Sequence, residues 1–478
     1  MAHECQISLS HVVLITLSAA LGGFLFGFDS SVINGANIAL PEAFGLDPAD
    51  AATDHKLGLA VALSLIGAAA GAYFAGRLAD AFGRVRCMLA AAVLFLVSAI
   101  GSGVPFGIYD FIVWRVIGGV GVGMASIIAP IYIAESAPAH LRGRLGSMQQ
   151  LAIVVGIFVA LLSNYLIVRH WGSASAIVFG DPADADGWHF YTWQLMFWVE
   201  IIPALLYGVA ALRLPESPRY LVSRGKLEEA KAVLSKISSE NLDEDLAKIQ
   251  KSFNSEKKSS LSDLLEVLSN GKKRIAPVFW AGLGLAILQQ FVGINVIFYY
   301  GTKLWSSVGF EANDAFFSSL INSSINLIMT VVAILLIDKI GRKPLLLIGS
   351  IGMTLTLGIL SICFLNAGAD GSLGGGAVFA LIAANLYVAF CAVTWGPVMW
   401  VMLGEMFNNR IRAVALSICG LAQWFANFIV TWTFPVLTGQ NGIGAGATYL
   451  IYTFFAAVSI LFVVKFIQET NGKQLEEM

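Results

Sequence analysis

Three ionisable side chains lie inside long apolar stretches of the sequence: Asp29, Arg115 and Glu200. A charge in hydrocarbon is costly, so residues of this kind usually mark a functional site. Burial and a neighbouring guanidinium act in opposite directions on the protonation of a carboxylic acid. An acid held between them can exchange protons as its surroundings open and close. We predict that Asp29 is a proton-coupling acid, Arg115 its switchable partner and Glu200 a modulator; a permanent ion pair that only fixes helix packing is the alternative.

The positions of Asp29 and Arg115 along their helices predict that the two side chains meet. Asp29 follows the start of the first apolar stretch by about 18 residues, or roughly 27 Å of helix. Arg115 lies a few residues into the fourth stretch. Successive spans of a helical membrane protein run in opposite directions, so both residues reach the same depth and are expected to pair.

Carboxamides inside the apolar stretches form a second group of polar side chains. Amides donate and accept hydrogen bonds at once, and the indoles of Trp395 and Trp400 offer flat apolar faces, which together suit a polyhydroxylated ligand. Gly293 predicts a helix break in one stretch, and Gly396 with Pro397 predicts another. Hydrogen bonding between helices is the alternative role for each amide. The amides are Gln150, Gln289, Gln290, Asn295, Asn322, Asn326, Gln423 and Asn427.

The composition indicates a membrane protein with many spans. Hydrophobic residues make up 57% of the chain, charged residues 13%, and the mean hydropathy is +0.76, whereas soluble domains are about a quarter charged. The net charge is −2 and the charges fall in loops, so we expect no nucleic-acid partner. The five cysteines are scattered, so we expect neither a disulfide framework nor a metal site. The absence of a phosphate-binding loop or a nucleophile with its base argues against an enzyme or an ATP-driven pump, and no cofactor is expected.

Charged tags repeat in two parallel halves of the chain. Each of two similar segments, ESAPAHLRGR and GEMFNNRIRA, places an Arg seven positions after a Glu. We expect these tags to form a cytoplasmic gate that latches the halves in one state and so biases the conformational equilibrium. A solvated rim that only obeys orientation rules is the alternative. The gate residues are Arg84, Glu135, Arg142, Glu216, Arg342, Glu405, Arg412 and Glu469.

Windows of about 20 apolar residues predict twelve membrane spans. They lie near 10–36, 57–76, 86–105, 110–134, 147–168, 191–212, 275–305, 315–337, 345–366, 376–403, 412–437 and 446–467. The predicted fold is an all-α membrane protein with a six-helix bundle at 1–212, a cytoplasmic helical linker at 213–273, a second six-helix bundle at 274–468 and a cytoplasmic tail at 469–478. Lys and Arg concentrate in the loops of one side, which places both termini and the linker in the cytoplasm.

The tags and the segments around them resemble the sugar porter family of the major facilitator superfamily over practically the full length. Within that family the sequence is most similar to bacterial glucose permeases that work as proton symporters. The sequence departs from the family pattern at Asn408, Gln468 and Asn471. These differences concern only local turns on the cytoplasmic side. The matching motifs are GRLADAFGR, PIYIAESAPAHLRGRLGS, PESPRYLVSRGK, QQFVGINVIFYY, DKIGRKP, TWGPVMWV, GEMFNNRIRA and QETNGKQLEE.

The resemblance implies two six-helix halves that alternate about a sugar site at the midplane. For Asn322 and Asn427, which the resemblance does not select, we expect interhelical hydrogen bonding instead. Ile157 stands where some pentose porters have Gln, which favours a hexose. The implied sugar-lining residues are Phe26, Gln150, Gln289, Gln290, Asn295, Tyr299, Asn326, Gly396, Trp400, Gln423 and Trp424.

The expected function is therefore proton-coupled uptake of a hexose, D-glucose, by alternating access. The expected partners are the monosaccharide, the proton and the lipid bilayer, and the expected setting is a monomer in the bacterial cytoplasmic membrane. An uncoupled hexose uniporter and a sugar receptor that does not transport remain open as alternatives.

Overall fold

The computed structural model describes residues 9–47, 49–136, 142–180, 189–237, 242–255, 264–267, 273–368, 373–407, 411–439 and 441–470. The first half contains helices α1 to α8, at Leu9–Ala36, Leu40–Ala43, Ala51–Phe82, Arg84–Gly103, Ile108–Ser136, Arg142–Trp171, Thr192–Val199 and Ile201–Arg213. Between the halves lie α9 to α11, at Pro218–Ser223, Leu227–Ile237 and Leu242–Ser255. The second half contains α12 to α19, at Pro277–Phe291, Ile294–Ser307, Ala312–Ile340, Arg342–Leu365, Ala377–Val393, Trp395–Met406, Arg412–Thr438 and Gly444–Phe466.

Two short antiparallel hairpins accompany the helices, and the sequence did not predict them. One pairs β1, Ile177–Phe179, with β2, Phe190–Tyr191, in the loop before α7. The other pairs β3, Leu265–Val267, with β4, Lys273–Ile275, just before α12.

The predicted twelve spans are confirmed. In the described ranges, eleven helical segments are long and apolar enough to cross a membrane, and they coincide with the second to twelfth predicted spans. The predicted first span is α1, a helix of 28 residues. α3 and α6 extend several residues beyond the predicted limits at the ends that carry basic residues.

Three spans are interrupted, each for a local reason. The sixth breaks at Glu200, because Pro203 has no N–H to donate to the carbonyl of Val199. The seventh breaks at Gly293, as predicted: its φ is +82°, and an added Cβ would lie 2.7 Å from the ring of Tyr452. The tenth breaks at Thr394.

The predicted break of the tenth span at Gly396 and Pro397 is wrong by two residues. Thr394 has φ −125° and ψ −84°, and the next helix, α17, begins at Trp395. Pro397 therefore lies in the first turn of α17, where a missing N–H breaks no helical hydrogen bond. Pro397 is thus compatible with the start of the second segment and does not interrupt the span.

Close backbone contact fixes α1, which carries Asp29, against α6. An added Cβ at Gly27 would lie 1.9 Å from the carbonyl oxygen of Ile153, and one at Gly156 would lie 2.0 Å from that of Phe24. Only glycine allows helices to approach this closely, and van der Waals contact of this kind holds helices together where no hydrophobic effect operates. The depth of Asp29 is thus set by packing on both sides of the helix crossing.

The two halves meet along three helix pairs: α3 with α18, α6 with α14, and α1 with α13. We call the end of the bundle that carries Arg84, Arg342 and the linker helices the basic end, and the opposite end the outer end. The interface between the halves encloses the middle of the bundle, where the predicted site residues lie.

Candidate functional site

Asp29 and Arg115 form a buried ion pair, as the sequence predicts. Arg115 Nη1 donates to Asp29 Oδ1 at 2.7 Å, and Nη2 donates to the Asp29 backbone carbonyl at 2.9 Å. Each residue is 1% exposed. The guanidinium lies 5.6 Å from the ring centroid of Phe197, which adds a cation–π contact. The acid is therefore buried and is held by a single basic residue of the described chain.

Glu200 lies at the break of the sixth span and interacts electrostatically with both members of the pair. It is fully buried, and neither carboxylate oxygen has a hydrogen-bond partner in the described part of the chain. An ionised carboxylate in such a place is costly unless it is paired. Arg115 Nε is also without a described partner. Together, the pair and Glu200 provide two carboxylic acids and one guanidinium. The positive charge of Arg115 balances one carboxylate, so the group has no net charge only if the other acid is protonated.

Four of the predicted amides form one hydrogen-bonded cluster. Asn295 Nδ2 donates to Gln290 Oε1 at 2.7 Å, and Gln290 Nε2 donates to Gln289 Oε1 at 3.1 Å. Gln423 Nε2 donates to the same oxygen of Gln289 at 2.7 Å. We call these four residues the amide cluster. The helix break at Gly293 brings Asn295 back toward Gln290, which a continuous helix would not do.

The two indoles near the tenth-span break differ in role. Trp395 is fully buried, and its N–H donates to the Leu346 carbonyl and to Ser350 Oγ, both at 3.1 Å. Trp400 is 44% exposed. Trp395 is thus a packing residue, and the assignment of Trp400 to a ligand site stays a prediction.

Aromatic contact across the halves joins α1 to α18. The rings of Phe26 and Trp424 lie 5.7 Å apart at an angle of 42°. Gln150 and Gly396 are partly exposed, whereas Asn326 on α14 is 9% exposed. These residues make no described hydrogen bond to the amide cluster, and their assignment to a ligand site stays a prediction.

The prediction that Asn322 makes hydrogen bonds between helices is wrong. Asn322 is fully buried, but neither atom of its amide has a hydrogen-bond partner in the described ranges, so it does not bond neighbouring helices. Gln149 is in the same condition, with both amide atoms unpartnered at 7% exposure. Gln149 is not among the predicted site residues, because the family resemblance selects its neighbour Gln150.

At the basic end, the repeated tags form two equivalent networks. In the first half, Arg84 binds both oxygens of Glu135 at 2.9 Å, and Glu216 accepts from the backbone N–H groups of Arg84 and Val85 at 2.9 and 3.2 Å. The bidentate arrangement is the strong form of an Arg–carboxylate contact. Glu216 lies at the start of α4, where a negative charge is favourable.

The second half repeats this arrangement. Arg342 binds Glu405 at 3.0 and 2.8 Å, and Glu469 accepts from the backbone N–H groups of Arg342 and Lys343 at 3.0 and 2.9 Å. A hydroxyl closes each network: Ser217 donates to Glu135, and Thr470 donates to Glu405.

The expected latch between the halves is not formed by these pairs, because each described pair joins elements of one half. Arg412 donates twice to the carbonyl of Phe407, at 3.1 and 2.9 Å, and so closes its own turn. The side chain of Arg142 lies outside the described residues. Each network instead ties three elements of its half into one rigid unit.

Hydrogen bonds between the halves lie toward the outer end, and the sequence did not predict them. Asn34 Nδ2 donates to the Phe298 carbonyl at 2.9 Å, and Asn34 Oδ1 accepts from Thr302 N and Oγ1 at 2.9 and 2.7 Å. Asn37 Nδ2 donates to the Tyr299 carbonyl at 2.5 Å. We call these contacts between α1 and α13 the outer latch.

An ion pair lies beside the outer latch. Lys303 Nζ lies 3.8 Å from Asp54 Oδ1, which joins α13 to α3 across the halves. Asn34 and Asn37 are short amides near the end of a long helix, so neither motif nor spacing marks them. Only the docking of α13 onto α1 gives them a function.

Comparison with known proteins places these features in context. Residues 15–478 match the family described as "Sugar (and other) transporter". The chain is 52% identical over 482 residues to the "Glucose transport protein" of Synechocystis sp. (strain ATCC 27184 / PCC 6803 / Kazusa), which covers 99% of this chain and 98% of that protein.

Solved structures of a bacterial transporter share the fold. The chain superposes with a TM-score of 0.81 and 37% identity on the partially occluded inward open conformation of the xylose transporter XylE from E. coli, covering 97% of this chain and all of that one. It superposes with a TM-score of 0.77 and 38% identity on the proton:xylose symporter XylE bound to 6-bromo-6-deoxy-D-glucose, covering 98% of each chain.

Proposed function

We propose the following function for this chain, which belongs to the sugar transporter family of the major facilitator superfamily: proton-coupled uptake of a hexose, D-glucose, by alternating access. The observation that carries the coupling is the buried pair of Asp29 and Arg115 with unpartnered Glu200 beside it. A purely structural ion pair needs no second buried acid. Nothing covalent happens to the sugar, so the protein is a carrier and not an enzyme.

The choice of a hexose is supported by one relative and by the site. A relative that is 52% identical is a glucose transport protein, whereas a solved relative bound to a halogenated glucose is a proton:xylose symporter. The amide cluster presents several donors and acceptors at one place, and sugar hydroxyls need both. The proposed sugar site combines this cluster with the remaining polar and aromatic lining: Phe26, Gln150, Asn326, Gly396, Trp400 and Trp424.

In the proposed cycle, Asp29 takes up a proton while the outer end is open, and the hexose then binds to the amide cluster. α13 bends at Gly293 and closes over the sugar, and the outer latch forms. The halves then rock apart at the basic end, and sugar followed by proton leave there. The two charged networks at that end keep each half rigid while it moves.

The proposed setting is the bacterial cytoplasmic membrane, with the basic end in the cytoplasm. Described basic residues at that end include Arg84, Arg342 and Lys343, and the linker helices lie on the same side. The excess of Lys and Arg follows the rule that orients membrane proteins. Both termini are then cytoplasmic, and one chain carries the complete site, so we propose that it acts as a monomer.

Reconstituted vesicles test this function. Purified protein is placed in proteoliposomes, and uptake of labelled D-glucose is measured with an imposed pH gradient, with and without an uncoupler. We expect accumulation above the outside concentration that the uncoupler abolishes. Equilibration that survives the uncoupler would make the protein a uniporter, and binding without flux would make it a receptor.

A sugar panel tests the substrate. Counterflow of labelled D-glucose is competed with unlabelled D-glucose, D-galactose, D-xylose and L-glucose. We expect D-glucose to compete at the lowest concentration and L-glucose not to compete. Stronger competition by D-xylose would assign the carrier to pentoses.

A further inference from the structure

A small cavity lies between the ion pair and the broken seventh span. Its size is roughly that of a water molecule, and its hydroxyl and guanidinium groups make it polar enough to hold one. Its walls come from both halves of the protein. The lining residues are Ser30, Val61, Ser64, Leu65, Arg115 and Tyr299.

Among the described residues that line this cavity, only Tyr299 belongs to the second half. Its side chain lies beside Ser30 of α1, which lines the same cavity, and near enough to Asn427 of α18 to interact with it. Its backbone carbonyl accepts from Asn37 of the outer latch. Ser30 directly follows Asp29, so Tyr299 touches the helix of the proton-coupling acid through both its side chain and its main chain.

The same tyrosine connects to the amide cluster along two helices. On α13, Asn295 lies one helical turn before Tyr299. On α18, Gln423 lies one turn before Asn427, and Asn427 in turn accepts from Thr431 Oγ1 at 3.1 Å. Residues four apart lie on the same face of a helix, so each helix carries a polar row from the cluster to the cavity.

We propose that Tyr299 is a positioning residue that couples protonation of Asp29 to the bend of α13, a role different from the sugar-lining one that the family resemblance implies. This inference rests on the proposed function. When Asp29 is protonated, its attraction for Arg115 weakens. The guanidinium, which already lines the cavity, then turns to the Tyr299 hydroxyl. Protonation of Asp29 thereby changes a contact of α13, the helix that closes over the sugar.

The charged groups around this arrangement agree with a switch of partners. Asp29 is the bonded partner of Arg115, and Glu200 interacts with both from the break of the sixth span. Arg115 Nε has no hydrogen bond among the described residues, so the guanidinium has a donor to spare. Both states are therefore available to Arg115: one on Asp29, and one on the cavity side.

Removal of one hydroxyl tests this role. Tyr299→Phe keeps the ring and deletes the group that faces the cavity. We expect the ratio of accumulated to external sugar under an imposed pH gradient to fall at least fivefold. The half-saturation concentration of sugar counterflow should stay within twofold of the parent, because exchange does not require coupling. Ser30→Ala, which removes the contact from the α1 side, should change both measurements in the same way.

The neighbouring tyrosine provides a matched control. The hydroxyl of Tyr300 is also buried, but it donates to the Thr431 carbonyl at 3.0 Å within the second half. Tyr300→Phe should accumulate sugar like the parent. If the Tyr299→Phe protein does not fold, Ser30→Ala with the same two measurements decides the question.

Each outcome bears on one of the two proposals. A parent protein that shows no sugar accumulation overturns the proposed function and this inference with it. Accumulation by the parent and by Tyr299→Phe alike overturns this inference alone. A half-saturation concentration that rises in step with the loss of accumulation would make Tyr299 a sugar ligand. Equal losses in Tyr299→Phe and Tyr300→Phe would make its role structural.

Discussion

The outer latch should control which end of the protein is open, and Thr302→Val is the change that tests it. Valine keeps the shape of threonine and removes only the hydroxyl. That hydroxyl has one hydrogen, which it shares between Asn34 Oδ1 at 2.7 Å and the Asn34 backbone carbonyl. Asn34 and Thr302 are both fully buried, so water does not replace the lost bond while the latch is closed. The backbone bond from Thr302 N to Asn34 remains.

The expected size of the effect follows from these contacts. One buried hydrogen bond contributes about 1 to 1.5 kcal/mol, so its loss makes the latch weaker by that amount. When the outer end opens, water satisfies the same groups, so the loss falls on the closed state alone. Since 1.4 kcal/mol corresponds to a factor of ten, the population open at the outer end should rise about 5- to 12-fold.

Thiol labelling measures this population. Ser319 on α14 is 2% exposed and lies near Gly301 of α13 at the same interface, so Ser319→Cys introduces a small reporter there. The rate of modification by a membrane-impermeant maleimide is compared with and without Thr302→Val. When the closed state dominates, the rate is proportional to the open population, so it should rise by the same factor.

A second threonine supplies the control. Thr356 is also buried, but its hydroxyl donates to the Gly352 carbonyl at 2.7 Å within its own helix. Thr356→Val should leave the labelling rate of the reporter unchanged. If Thr302→Val also leaves it within twofold of the parent, the latch does not hold the outer end closed and the reasoning fails.

Three further predictions concern the acid, the amide cluster and the basic end. Asp29→Asn should keep sugar counterflow and lose accumulation under a pH gradient, and concentrative uptake by this variant would remove Asp29 from its assigned role. Gln290→Ala breaks the cluster between Asn295 and Gln289, so the half-saturation concentration of counterflow should rise about tenfold, equivalent to 1.4 kcal/mol; an unaltered value would make Gln290 a packing residue. Arg84→Lys and Arg342→Lys should lower the thermal unfolding midpoint in detergent by similar amounts, because lysine cannot make the bidentate contact; a drop in only one of them would show that the two networks are not equivalent.

The sequence alone determined the membrane architecture, because hydrocarbon imposes a strict rule on composition. Each span must be about 20 apolar residues long and must satisfy its own backbone hydrogen bonds, so length and hydropathy suffice to find it. The same rule made Asp29 and Arg115 conspicuous, and their positions along oppositely directed helices predicted the pair. The helix break at Gly293 was also predicted from the sequence, since a glycine between polar residues of one span has few other roles.

Tertiary structure decided which partners the polar residues take. Glu135 belongs to the same motif as Arg142, yet its bidentate partner is Arg84, which folding brings from another helix of the same half. No feature of the sequence marks Asn34 and Asn37, because an amide near a helix end becomes part of the latch only when another helix docks on it. Tyr299 likewise lies between the proton site and the amide cluster only after α13 has bent at Gly293 and packed between α1 and α18. Local rules govern single helices, whereas contacts between helices depend on the packing of the whole bundle.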